Sequence, residues 1–167
     1  FDLTVEAPCF TFEEIEFCQT HPVSLETGYR MVRVPSTVFK KDTMCLHRVP
    51  NINVFRKWLH AVGTGGTALC SGVPVLEKFY EAYKRNGIQS NSFRDQNPHR
   101  FARTSQRSAK VTDEARISFY QAFGILPHMQ VFMERFCETI SIDELDSVIH
   151  DKDDVFGQPG GQILHHA

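Results

Sequence analysis

The residues best suited to chemistry lie between Phe17 and Asp42. Arg30, Arg33, Lys40 and Lys41 sit on either side of Pro35-Ser36-Thr37. Guanidinium and ammonium groups are the usual holders of phosphate oxygens, arginine as a planar fork and lysine as a point charge. Upstream, Phe17-Cys18-Gln19-Thr20-His21-Pro22-Val23 offers an aromatic ring, a thiol and an amide in succession. What must position them is a β-hairpin. Glu13 to Val23 reads as an extended arm bending at Pro22, and Glu26-Thr27-Gly28 is turn material. Tyr29 to Val34 alternates as a half-buried strand does, so Arg30 and Arg33 are expected on opposite faces. A hairpin with cations on its return arm suits a phosphate-bearing ligand. The alternative for both arginines is an ordinary exposed strand face.

Other chemistries find little support. There is no GxSxG elbow and no HExxH, and no aspartate pair follows an apolar strand as a two-metal phosphoryl-transfer site requires. Gly63-Thr64-Gly65-Gly66-Thr67 lacks the lysine of a P-loop and reads instead as a small-residue helix face that admits a neighbouring backbone. Five cysteines, an odd number without CxxC spacing, favour reduced thiols over a disulfide scaffold. Cys18-x-x-His21 and Cys45-x-His47 fit no common zinc pattern, and the acids after Asp151 lack the calcium-loop pattern. No catalytic residue and no metal ligand is therefore assigned. No apolar run is long enough to span a bilayer.

A net charge of −2 conceals sorting: residues 1–27 carry −6, residues 28–110 carry +11, and residues 111–167 carry −7. A mixed surface would intersperse the signs, so the middle segment is expected to face a polyanion. Its polar stretch 88–111 holds Arg94, Arg100, Arg103, Arg107 and Lys110 with Phe93 and Phe101 among them. That mixture suits tracking of a polyanion's backbone, the alternative being a disordered linker.

The elements expected are α+β: a small antiparallel N-terminal sheet or hairpin, then a mostly helical part. Strands are read at Leu3-Thr4-Val5, Phe12–Gln19 and Tyr29–Val34, with a short option at Met44-Cys45-Leu46. Asn53 is the expected cap of a helix carrying Val54, Phe55, Trp58, Leu59 and Val62. Pro74 is expected to open a helix with the stripe Leu76, Phe79, Tyr80 and Tyr83. Thr112-Asp113-Glu114 starts another, ended by Gly124. Pro127 opens one whose Met129, Phe132, Met133 and Phe136 are read as core, and Ser141-x-x-Glu144 caps a last helix over 142–149. The tail 151–167 is read as unstructured, and the chain as a piece of something longer.

Glu16-Phe17-Cys18-Gln19-Thr20-His21-Pro22-Val23, Tyr29-Arg30-Met31-Val32-Arg33 and Lys40-Lys41-Asp42 resemble RNA-dependent RNA polymerases of positive-strand RNA viruses, in the tombusvirus-like and nodavirus-like group. Gly72-Val73-Pro74-Val75-Leu76, Arg85-Asn86-Gly87 and Ala115-Arg116-x-Ser118-Phe119-Tyr120 are similar to the thumb of that group. The resemblance covers roughly residues 1–135. It implies that residues 1–42 are the C-terminal end of the palm with the motif E primer-grip hairpin, and 43–150 a helical thumb. Phe17, Cys18 and Gln19 match the grip strand. Arg33 with Lys41 eight places on is similar to the spacing of the basic pair that reaches an initiating nucleotide's triphosphate in flavivirus-like polymerases, with Lys40 the alternative to Lys41.

The metal-binding aspartates of such enzymes, and the Gly-Asp-Asp of motif C, do not occur in this sequence. The resemblance implies that these acids, and the Mg²⁺ or Mn²⁺ they bind, belong to an upstream part of the parent polymerase. Partners implied are RNA template and product, nucleoside triphosphates, and the upstream palm and fingers of the same polyprotein. The implied location is the host cytoplasm, in a replication complex whose membrane association, if any, lies in other regions. A free-standing, non-catalytic RNA-binding module and a purely structural interaction domain remain the competing readings.

Overall fold

The structure, a computed structural model, describes residues 8–46, 49–90 and 109–142. A 3-10 turn, Phe12–Glu14, precedes strands β1 (Thr20–Leu25) and β2 (Gly28–Arg33). Five helices follow among the described residues: α1 (Pro35–Lys41), α2 (Ile52–Cys70), α3 (Leu76–Asn86), α4 (Asp113–Phe123) and α5 (Pro127–Thr139). The strands pair antiparallel, from Thr20 opposite Arg33 to Leu25 opposite Gly28. Glu26-Thr27 closes the hairpin, and Gly28 takes φ +103°, open to glycine at little cost.

The first strand differs from expectation. Residues 12–19 form the 3-10 turn and a tight reversal, and the strand runs through Pro22 instead of bending there. The parity of the ladder explains why. Ser24 N–H points away from β2 and donates to Ser118 Oγ at 2.8 Å. Pro22, two residues earlier, has the same parity, so its missing N–H removes no ladder bond. Met44-Cys45-Leu46 is not a strand. The Leu3–Val5 strand, most of the 142–149 helix and the 151–167 tail lie outside the described residues.

One core joins hairpin and helices: Val23, Leu25 and Val32 pack with Val38 of α1, Leu76, Phe79 and Tyr80 of α3, Ala115 and Phe119 of α4, and Cys137 of α5. It continues across position 42 without a break. Each fully buried aliphatic or phenyl group contributes about 1.5–3 kcal/mol relative to exposure. A second cluster gathers Trp58, Leu59 and Ile142, with Phe55 stacked on Trp58 at 5.5 Å.

Asn51, not Asn53, caps α2, its side chain accepting Val54 N–H at 3.0 Å. The small-residue face behaves as expected. A Cβ on Gly63 would lie 2.4 Å from Lys84 N, and one on Gly66 would enter the Tyr80 ring, so α3 rests on the bare backbone of α2. The third helix starts at Leu76, not Pro74. Val75 takes φ +66°, ψ −53°, and Leu76 N–H donates to Pro74 O at 2.7 Å, a γ-turn rarely tolerated by a β-branched residue. Thr112 caps α4 by accepting Ala115 N–H, and Gly124 ends it in the left-handed region.

On α5 the expected core stripe is reversed. Met129, Phe132 and Phe136 are exposed, only Met133 packs inward, and the buried residues are Gln130, Glu134 and Cys137. Polar groups can face the core there because most of their bonds are met inside it, Gln130 Oε1 being a buried acceptor left without a donor. Gln130 Nε2 donates to Arg116 O and Ile125 O, and Glu134 is held by Arg116.

Candidate nucleotide-binding end of the hairpin

The open end of the hairpin is built by a two-residue reversal. Phe17 and Thr20 exchange both backbone bonds, N–H to O at 2.9 and 3.0 Å, while Cys18 and Gln19 take φ +51° and +61°. Two consecutive left-handed residues make a type I′-like turn, normally the province of Asn-Gly. Thr20 Oγ1 also donates to Phe17 O. The turn thrusts Phe17, 69% exposed, and Cys18 into solvent.

The turn is fastened on two sides. Val34 N–H donates to Gln19 O at 3.0 Å, extending the ladder past Arg33. On the other side Glu13 is buried: its carboxylate accepts Ser118 Oγ–H at 2.8 Å and Tyr29 O–H at 3.4 Å. His21 Nδ1 lies 3.0 Å from Glu13 O, and its ring meets Phe123 edge-on. These bonds tie the reversal to α4.

Past Val34 the chain turns at once into α1, a helix the sequence reading overlooked. Pro35 supplies a first-turn residue that needs no N–H partner. Seven residues of helix carry Lys41 back toward the reversal, where its Nζ lies 3.4 Å from Gln19 Oε1. Gln19, Arg33 and Lys41, scattered in sequence, thus share one end of the hairpin. Lys40 is exposed on the same helix.

Arg33 is engaged. Its Nη1 donates to both Asp42 oxygens at 3.1 and 3.0 Å, and Tyr80 O–H donates to Asp42 Oδ2 at 2.6 Å. Arg30 Nη1 donates to Leu69 O and Ser71 O at 3.1 and 2.9 Å, capping the carbonyl end of α2. Alternation sends the two arginines to opposite faces. Even so, both border one cleft of about 450 Å³, because β2 presents its edge to the end of α2. Met31, Asp42, Leu69, Cys70 and Tyr80 complete much of its wall. Burial pushes the Cys70 thiol up to about 12, so it stays protonated and unreactive at neutral pH. Burial, then the bond to Asp42, raises the Tyr80 phenol, which remains a donor.

Of the residues expected to track RNA, Arg94, Arg100, Arg103 and Arg107 lie outside the described residues. Lys110 is exposed beside the hairpin turn, its backbone N–H 3.5 Å from Glu26 Oε2. Among the described residues, no group of three or more His, Cys, Asp or Glu could hold a metal ion, and no helix is long and apolar enough to cross a membrane. Sequence reasoning missed Asp42 and Tyr80. Asp42 carried a signal, as the acid that immediately follows Lys40-Lys41.

The family described as viral RNA dependent RNA polymerase matches residues 1–144. An RNA-directed RNA polymerase of Cucumber necrosis virus is 37% identical over 163 residues, which cover 96% of this chain and 18% of the relative. One of Tomato bushy stunt virus (strain Cherry) is 37% identical over 146 residues, 86% of the chain and 18% of the relative. One of Tobacco necrosis virus (strain A) is 39% identical over 156 residues, 89% and 21% respectively. The chain thus spans about a fifth of the length of these curated relatives. No solved structure matches it. With the match running through the reversal, the cationic helix and the helices behind them, the chain belongs to the viral RNA-dependent RNA polymerase family.

Proposed function

We propose that this chain is the end of the palm with its primer-grip hairpin (residues 1–42) and the helical thumb (43–150) of a viral RNA-directed RNA polymerase. Its task is to hold the initiating nucleotide, or the end of nascent RNA, during template-directed nucleotidyl transfer. The observation that carries the reading is the convergence of Gln19, Arg33 and Lys41 on one end of the hairpin. Arg33 and Lys41 donate to triphosphate oxygens, fixing their position and offsetting their charge. The Gln19 amide and the exposed Phe17 ring address the sugar and base of the 3′ end. Arg94, Arg100, Arg103, Arg107 and Lys110 follow the RNA backbone.

The divalent metal, Mg²⁺ or Mn²⁺, supplies the Lewis acid for transfer when bound, and the acids that bind it belong to the upstream palm. The residues described here do not offer that donor set. The parent protein works in a replication complex in the host cytoplasm.

Calorimetric titration of the chain with GTP tests the site. Binding that falls at least about tenfold in Arg33→Ala and in Lys41→Ala supports it, one charge-assisted bond to phosphate being worth about 1.5–3 kcal/mol. Unchanged affinity in both variants overturns it. The chain mixed with template, nucleotides and Mg²⁺ is expected to give no product, and extension by it alone would show that the catalytic acids are not upstream. RNA affinity without any nucleotide site would instead favour a free-standing RNA-binding module.

A further inference from the structure

We infer that Asp42 is the positioning residue for Arg33 and an internal stand-in for phosphate, yielding the guanidinium to an incoming polyphosphate and falling back on Tyr80. The inference rests on the nucleotide-site reading above.

Two arginine–carboxylate pairs in the same chain show the contrast. Arg116 grips Glu134 with two nitrogens, Nη1 to Oε1 at 2.9 Å and Nη2 to Oε2 at 2.8 Å, at side-chain exposures of 19% and 11%. That is arginine's strongest geometry, in a site water scarcely reaches. Arg33 instead offers one nitrogen to both oxygens of Asp42, at exposures of 43% and 21%. A half-exposed contact through one nitrogen is weak enough to be exchanged.

The exchange does not leave the carboxylate without a donor. Asp42 retains the Tyr80 hydroxyl at 2.6 Å after Arg33 departs, and that phenol stays protonated because burial and the bond itself raise its pKa. Arg33 exchanges its two contacts with the carboxylate for two oxygens of the polyphosphate, so the number of charge-assisted bonds is kept. Until then the carboxylate holds the side chain at the wall of the cleft that Arg33 and Asp42 both line. Only an anion able to displace Asp42 recruits Arg33.

The test is titration of the chain with inorganic tripolyphosphate at fixed ionic strength. Asp42→Asn keeps an acceptor for Tyr80 but loosens Arg33, and is expected to bind about fivefold tighter than wild type. Tyr80→Phe removes the fallback donor and is expected to bind about tenfold more weakly. In the double variant Asp42→Asn/Arg33→Ala the gain disappears, and affinity equals that of Arg33→Ala. A gain that survives without Arg33 would be mere removal of a negative charge and overturns the exchange, as does Asp42→Asn binding no tighter than wild type. If Arg33→Ala binds as wild type does, or nothing binds, it is the nucleotide-site reading itself that fails. Should Asp42→Asn unfold, Tyr80→Phe binding as tightly as wild type is enough to overturn the exchange.

Discussion

Arg116 and Glu134 meet through two parallel bonds, and the same Glu134 Oε1 accepts Val75 N–H at 3.0 Å. The pair therefore joins α4 to α5 and holds the positive-φ turn that starts α3. Glu134→Ala leaves Arg116 half-buried without its partner and Val75 N–H without an acceptor, and should cost about 3–5 kcal/mol. Urea unfolding followed by Trp58, the chain's single tryptophan, measures it. A cost below about 1 kcal/mol would show that the turn at Val75 needs no such support.

The three glycines of α2 should part company on substitution. Gly65 has nothing within 4 Å of an added Cβ, so Gly65→Ala should stabilise by about 1 kcal/mol through helix propensity. Gly63→Ala meets Lys84 N at 2.4 Å and Tyr80 O at 2.8 Å, and Gly66→Ala meets the Tyr80 ring. Each of these should destabilise by roughly 1–3 kcal/mol, since overpacking forces α3 away. The same denaturant series decides whether the order holds.

Apart from α1, which was overlooked, the helices were legible because their signals are local: Thr112 before Asp113-Glu114, Pro127 at a first turn, Gly124 at a stop. The close approach at Gly63 and Gly66 could also be read, since bare backbone has few other uses mid-helix. Part of what failed depended on distant partners. Pro74 looked like a helix start, but Glu134, far along the chain, stabilises a γ-turn at Val75 that delays the helix by two residues. Met129, Phe132 and Phe136 looked like core until Gln130 and Glu134 found partners inside it. Residues 12–19 looked like a strand because nothing in Phe17-Cys18-Gln19-Thr20 announces a reversal built without glycine. At the hairpin end, Arg33 and Lys41 were singled out by charge and by the resemblance, whereas the contact of Asp42 with Tyr80 joins residues 38 positions apart and became visible only in the fold.

That reversal carries a backbone cost at the proposed grip. Cys18→Asn/Gln19→Gly installs the residues a type I′ turn prefers and should stabilise the chain by about 1 kcal/mol. It also removes the amide facing Lys41, so GTP affinity should fall while the melting temperature rises. A rise in both would remove Gln19 from the site.

Alkaline pH should loosen the fold through its buried phenols. Burial, and secondarily the charge of Asp42, pushes Tyr83 up to about 12, and Tyr80 is raised as well. The folded chain then keeps protons that the unfolded chain releases near pH 10. The stabilisation is complete below about pH 10 and is lost as pH rises toward about 12. The urea midpoint should therefore drop over that window, and less steeply in Tyr83→Phe. An identical drop in that variant would assign the loss to other groups.

The most direct test of the central claim is amide shift mapping of the isotopically labelled chain during titration with GTP. The largest shifts are expected at Gln19, Thr20 and Val34 and along Lys40-Lys41-Asp42, the residues that join the reversal to α1. Shifts confined to other parts of the chain, or none at saturating nucleotide, would contradict it.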